Sequence, residues 1–233
     1  MSPKQYEQVA AELRARVVDG TLQPGTRLPN EEVLAREFGV SRATLREALR
    51  SLAAQSLIRT AKGAGGGSYV TLPNADGIAG LLHSSLSLMT DADGVTLDEL
   101  LEARELLEVP AARLAALRRS EEELERLREA IPDEPLKLEI DRQFAYNQDF
   151  HHVVLRSCGN TLLSIAAQPV FAVLQRNLAR SKLGPRFHRA LNDQHRTIAA
   201  SIEAGDADAA GGEMREHLAF LRPYYERAWR LPR

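Results

Sequence analysis

The chain has 233 residues, with 30 lysines and arginines against 32 aspartates and glutamates, six histidines and one cysteine. That length allows two modest domains, each with a core of its own. No apolar run approaches the length of a membrane span, the start lacks a hydrophobic signal core, and a lone Cys158 excludes an internal disulfide. A small, partly buried thiol in a reducing cytoplasm is the expectation for Cys158.

In chain order, residues 4–19 form an amphipathic helix with Val9, Leu13 and Val17 on one stripe. Gly20 ends it, and Pro24-Gly25 makes a turn. Asn30 is placed to cap a short helix over 31–38, Gly39 to turn the backbone, and Ser41 to cap the next helix. That helix spaces Leu45, Ala48, Leu49 and Leu52 along one face. Its other face opens with Ser41, Arg42, Thr44 and Arg46. Short polar and arginine side chains at a helix N-terminus are what a DNA major groove accepts. Residues 57–60 and 68–71 read as two short strands. The glycines at 63, 65, 66 and 67 make a hairpin tip thin enough to lie against a nucleic-acid backbone. Alone, each piece is common: many small helical proteins place Gly between helices, and a Gly-rich hairpin can be any loop. In this order and spacing they read as a winged helix-turn-helix.

Charge is unevenly spread. Residues 1–72 hold 10 basic and 7 acidic side chains, the remainder 20 and 25. A basic end on an acidic body fits one nucleic-acid-binding domain joined to another that binds none, although a difference of this size also arises by chance. All six histidines fall in the second part.

Pro73-Asn74 starts a linker, and only helical periodicity follows it. A short apolar helix is expected over 76–89, broken by 91–94. Thr96 caps a long helix to 117, and Ser120 with Glu123 has capping-box spacing for another to 130. Helices over 136–157, 161–183 (kinked near Pro169), 187–204 and 206–229 complete the chain. The expected fold is mainly α. A winged helix-turn-helix occupies 1–72, a linker and short helix 73–95, and an all-helical bundle of about six or seven antiparallel helices 96–233.

Asn147 and His151, four residues apart, share one helix face. His195 and His217 lie on the last two helices, which a short loop makes antiparallel neighbours. Three imidazoles and one amide oxygen from three helices can ligate a divalent metal, zinc before nickel or manganese. A lone His on a helix is more often a packed or solvated residue. That ordinary reading is kept for His83, His152 and His188.

The string PGTRLPNEEVLAREFGVSRATLREALRSL, residues 24–52, resembles the N-terminal domain of GntR-type bacterial transcription regulators. The resemblance implies operator contacts at Arg36, Ser41, Arg42, Thr44, Arg46 and the wing glycines Gly65 and Gly66. Glu32 departs from the family, standing where members commonly carry an Arg that reaches DNA. Ala43 replaces a residue that is often polar or Pro. Both departures imply a somewhat different operator. Further along, EARELLEVPAARLAA, FHHVVLRSCGN and DQHRTIAASIEAGDADAAGGEMREHL resemble the effector-binding FCD domain of the FadR-type branch, over about residues 76–229. That resemblance implies a metal held by Asn147, His151, His195 and His217. Members often have Asp at the first position, so Asn147 makes the set one negative charge poorer. The founding acyl-CoA-binding member lacks the three histidines, which argues against a fatty acyl-CoA effector.

Four neutral ligands leave a divalent ion its full charge in a low-dielectric cavity, and such a site wants an anion. Arg104 offers a fork matched to a carboxylate, and it can also pair with Glu108 one turn on. The expected effector is a small carboxylate. The expected whole is a ligand-responsive regulator, a repressor of a metabolic operon, acting in the cytoplasm as a homodimer on a palindromic operator. Two alternatives stand beside it. A metal-dependent hydrolase needs a general base near the bound water, and no Glu or Asp stands in a recognisable motif beside these ligands. A regulator with a purely structural metal would sense nothing.

Overall fold

A computed structural model describes residues 4–61, 63, 66–72, 74–178 and 183–229. The chain divides into two compact units, Met1–Gly77 and Ile78–Arg233. In the first unit, α1 (Gln5–Val18), α2 (Glu31–Glu37) and α3 (Arg42–Ala54) precede β1 (Ile58–Ala61) and β2 (Gly67–Val70). The caps form as the side chains dictate. Asn30 Oδ1 accepts the Val33 N–H at 2.9 Å, and Ser41 Oγ accepts the Thr44 N–H at 3.1 Å. Gly39 turns the chain between α2 and α3 at φ +64°, a conformation that costs side-chain-bearing residues strain. Val9 and Leu13 of α1, Leu34 of α2, and Leu45 and Leu52 of α3 share one core with Ile58 and Val70. Each such side chain contributes on the order of 1.5–3 kcal/mol when fully buried. The strands pair antiparallel, Ile58 opposite Val70 and Arg59 opposite Tyr69. Alternation puts the first pair in the core and leaves the Arg59 guanidinium 4.9 Å over the Tyr69 ring.

Beyond β2, α4 (Ala75–Asp91) carries the junction between the units. The second unit continues with α5 (Leu97–Arg118), α6 (Glu121–Glu129), α7 (Ile140–Ser157), α8 (Thr161–Asn177), α9 (Pro185–Ala204) and α10 (Ala207–Ala228). Thr96 and Ser120 each close a capping box, so α5 and α6 start where their sequences expect. Among the described residues, the only sheet is the two-stranded wing. The fold is therefore mainly α.

Helix α5 is the axis of this unit, packed against α7, α8, α9 and α10. Ala111, Ala112, Ala115 and Ala116 are fully or almost fully buried. Their small side chains let neighbouring helices approach from several directions. Two charged residues, Arg104 and Glu108, are buried on the same helix.

Two boundaries differ from the sequence expectation. Helix α7 begins at Ile140, not near 136, because Pro135–Lys137 forms a single 3-10 turn and Leu138 is extended. Helix α8 runs through Pro169 and ends at Asn177, short of 183. Leu178 instead pairs with Trp229 as an isolated β-bridge. Apolar periodicity carries no signal for such a long-range stop.

Candidate metal centre and nucleic-acid interface

Helix α7 places Asn147 and His151 one turn apart, α9 places His195, and α10 places His217. All four are buried. One ring nitrogen from each histidine lies within 4.8 Å of the others. Phe150 stacks on His195 with centroids 3.9 Å apart and planes at 10°, which fixes that ring's face. Burial, then the neighbouring cationic and imidazole groups, hold His195 and His217 well below the ordinary histidine pKa. His151 is also lowered by burial, and Glu108 opposes the shift. The rings are therefore neutral at pH 7, the state in which imidazole is a metal ligand.

The tautomers follow from the partners. Gln194 Oε1 lies 2.9 Å from His217 Nδ1, so Nδ1 carries the proton and Nε2 the lone pair. Arg104 Nη2 lies 3.0 Å from His151 Nε2, and a guanidinium only donates. Hence His151 also carries its proton on Nδ1, which stands 2.6 Å from Glu108 Oε2. This contact is short but poorly aligned, and Oε2 lacks a well-formed hydrogen bond. Among the buried atoms without a hydrogen-bond partner are one from each of the other three candidate ligands: Asn147 Oδ1, His195 Nε2 and His217 Nε2.

Arg104 is engaged on three sides. Its Nε donates to Glu108 Oε1 at 2.7 Å and its Nη1 to the Tyr225 hydroxyl at 3.2 Å, besides the His151 contact. The expected pairing with Glu108 thus forms, and it is fully buried. Burial raises the Glu108 carboxyl, but Arg104 and His151 overcome it and hold the group down to about 2. Tyr225, Gln175 and Gln194 are members of this network that sequence reading misses, and it places Glu108 only as a partner of Arg104. Sequence reading finds no Glu or Asp in a recognisable motif beside the histidines, and in space a carboxylate from another helix, Glu108, stands next to His151. Glu108 arrives from α5, where no local motif could announce it. It is ionised and held by Arg104 and His151, so it is no free general base. His83 and His152 lie outside the group of three.

In the first unit, Ser41, Arg42, Thr44 and Arg46 occupy the first turns of α3. The Ser41 hydroxyl is the cap itself and also touches Thr44 Oγ1 at 2.8 Å. Arg42 is exposed, with no carboxylate within ion-pair distance among the described residues. Three other arginines of α2 and α3 are already paired: Arg46 with Glu31 at 2.7 Å, Arg36 with Glu32 at 3.8 Å and Arg50 with Glu47 at 2.8 Å. At the wing, Gly66 accepts from Arg27 Nη2 at 2.5 Å and its N–H bonds back to Gly63. Gly65 lies outside the described residues. Arg27 is a wing-bracing residue that sequence reading passes over.

A capped helix presented with a two-stranded wing in one unit, and a buried polar cluster in a second, helical unit, define a class: two-domain bacterial transcription regulators. The sequence matches the bacterial regulatory proteins of the gntR family over residues 5–67 and the FCD domain over residues 99–220. The chain belongs to the GntR family. It is 31% identical over 221 residues to the HTH-type transcriptional regulator LutR of Bacillus subtilis, covering 90% of this chain and 98% of that protein. It is 27% identical over 214 residues to the galactonate operon transcriptional repressor of Escherichia coli, covering 90% and 92%. Streptococcus agalactiae GntR is a structural neighbour with TM-score 0.55 and 25% identity, covering 94% of this chain and 99% of that one. These relatives are regulators, and this chain is a DNA-binding transcription regulator, not an enzyme. The hydrolase alternative is set aside. Among the described residues, no helix is long and apolar enough to cross a membrane.

Proposed function

We propose that this regulator represses a metabolic operon from the cytoplasm and senses a small organic acid through a divalent metal in its helical domain. The observation carrying this reading is the trio of buried polar atoms with no partner, Asn147 Oδ1, His195 Nε2 and His217 Nε2. Such atoms cost about 1–3 kcal/mol each when left unsatisfied. With His151 Nε2 they are an N3O donor set of the kind zinc, nickel and manganese accept, zinc foremost.

When bound, the ion supplies a positive charge for a carboxylate oxygen. The donors are neutral, and the nearby charges of Arg104 and Glu108 offset one another. Arg104 holds the acid's other oxygen. Its Nη2 donates to His151 Nε2 in this structure. Releasing that nitrogen to a cation frees the same N–H for an anion, while Glu108 and Tyr225 keep the guanidinium in place. Glu108 positions His151 by facing Nδ1. The relatives' names support an acid: the operon of one concerns galactonate, a carboxylate.

The protein acts on a palindromic operator as a homodimer, because each chain carries one reader for one half-site. Light scattering of the full chain is expected to give twice the single-chain mass. A monomer both free and on DNA would end this part of the reading. To test the sensing mechanism, melting temperature is followed over a panel of small carboxylates, with zinc-loaded and zinc-stripped protein. At a hundredfold excess over its Kd, the best acid is expected to raise the melting temperature by roughly 5–10 °C with zinc and far less without. The same acid should change affinity for the DNA flanking the gene. Equal stabilisation of both forms would make the metal structural only.

A further inference from the structure

The reader unit holds a hollow of about 580 Å³ between its helices and its wing. Asn30 and Glu31 at the start of α2, with Leu49 of α3, line one side. Thr60, Gly66 and Ser68 of the wing line the other, and Arg27 also borders it. Residues 26–28 lie along the edge of β2: the Leu28 N–H donates to the Ser68 carbonyl, and the Val70 N–H to the Thr26 carbonyl, both at 2.8 Å. Arg27 thereby stands opposite Tyr69. Its guanidinium runs along the wing, where Nη2 donates to the Gly66 carbonyl at 2.5 Å. Gly67 gives it room. A Cβ at that position would stand 2.9 Å from Arg27 Nε. The wing thus fixes a cation at the rim of the hollow, and among the described residues no carboxylate pairs with it.

The other polar groups of the lining are mostly donors. Asn30 Oδ1 is taken by the Val33 N–H, which leaves the amide hydrogens. Thr60 and Ser68 face each other across the strand pair, and neither hydroxyl has a hydrogen-bond partner among the described residues. The one carboxylate of the lining, Glu31, is neutralised by Arg46 at 2.7 Å. One uncompensated guanidinium with several donors suits an anion that accepts from more than one side, as a phosphodiester does. The position selects the same anion. With the first turn of α3 in a major groove and the wing against the adjoining groove, the sugar–phosphate strand that separates the two grooves has to pass between helix and wing. The hollow lies between those two elements.

We propose that this hollow seats one sugar–phosphate strand of bound DNA, with Arg27 as its phosphate clamp and the Thr60 and Ser68 hydroxyls as neutral partners. The bond to Gly66 occupies one N–H of the guanidinium and leaves the others for phosphate oxygens. Bracing the wing and holding the backbone are therefore compatible tasks of one side chain. A contact of this kind carries no sequence information. It fixes the register of the protein on the duplex and strengthens binding to every sequence alike.

Fluorescence anisotropy of the full-length protein tests this with two labelled duplexes, the DNA flanking the gene and a random sequence of equal length, between about 50 and 200 mM salt. Arg27→Gln is expected to weaken both duplexes by the same factor, to within about twofold. It should also flatten the slope of log Kobs against log salt by about 0.9 for each bound chain, because one phosphate is no longer neutralised. Arg27→Lys keeps the charge and should keep the wild-type slope. Thr60→Val combined with Ser68→Ala should weaken both duplexes about threefold or more and leave the slope unchanged, since a hydroxyl displaces no counterion. An unchanged slope in Arg27→Gln protein would leave Arg27 as a brace of the wing only. A loss confined to the gene-flanking duplex would make it a base reader. Either result overturns the assignment, and so does wild-type binding by the hydroxyl double variant. If Arg27→Gln lowers the melting temperature, the hydroxyl double variant decides alone.

Discussion

His195→Ala is expected to lower zinc affinity by at least about a hundredfold and to abolish metal-dependent acid binding in the full-length protein. Loss of an outer partner of a metal ligand typically costs about ten- to a hundredfold, and loss of a ligand costs more. His195 is nearly sealed from solvent, its ring is held by Phe150, and its Nε2 has no other partner. Water cannot readily replace it there. Glu108→Gln provides the graded comparison. It keeps the shape but removes the charge facing His151 Nδ1, so a loss of about ten- to a hundredfold is expected. Because Glu108 also anchors Arg104, this variant should lose acid affinity beyond its loss of metal. Zinc titration against a competing chelator reads both variants. Wild-type zinc affinity in His195→Ala protein would remove His195 from the ligand set.

The second large effect concerns DNA. Arg42→Ala is expected to weaken operator binding by about 1–3 kcal/mol, as loss of a base-reading arginine does. Arg46→Ala should cost less, because Arg46 must first leave Glu31. An exposed pair of that kind is worth only about 0.2–1 kcal/mol, so it tempers the contact without preventing it. The double variant combines the two losses, and Glu31→Gln should move affinity the other way. A gel-shift titration with the double variant decides the matter: unchanged affinity would move the reading surface elsewhere.

Local chemistry made much of this molecule legible. Asn30, Ser41, Thr96 and Ser120 announce helix starts because a cap is settled within four residues of chain. Asn147 and His151 share a face by helical spacing, and His195 and His217 meet through a short antiparallel connection. What stayed hidden depends on contacts between distant segments. Glu108 reaches His151 across two helices, and Tyr225 reaches Arg104 from the far end of the chain. The early end of α8 depends on Leu178 meeting Trp229.

The arginine–carboxylate pairs on α2 and α3 bear on how such a protein searches a genome. Any stretch of duplex draws a bare cationic surface, since each neutralised phosphate releases condensed counterions and the gain is blind to sequence. Glu31, Glu32 and Glu47 act as tethered counterions for Arg46, Arg36 and Arg50. Their displacement releases nothing to bulk solvent, so random DNA gains little from these three side chains. A matching operator can still recruit an arginine where a base edge offers more than the carboxylate does. The reader thereby gives up indiscriminate adhesion and keeps contrast between its target and the far larger background of competing sites.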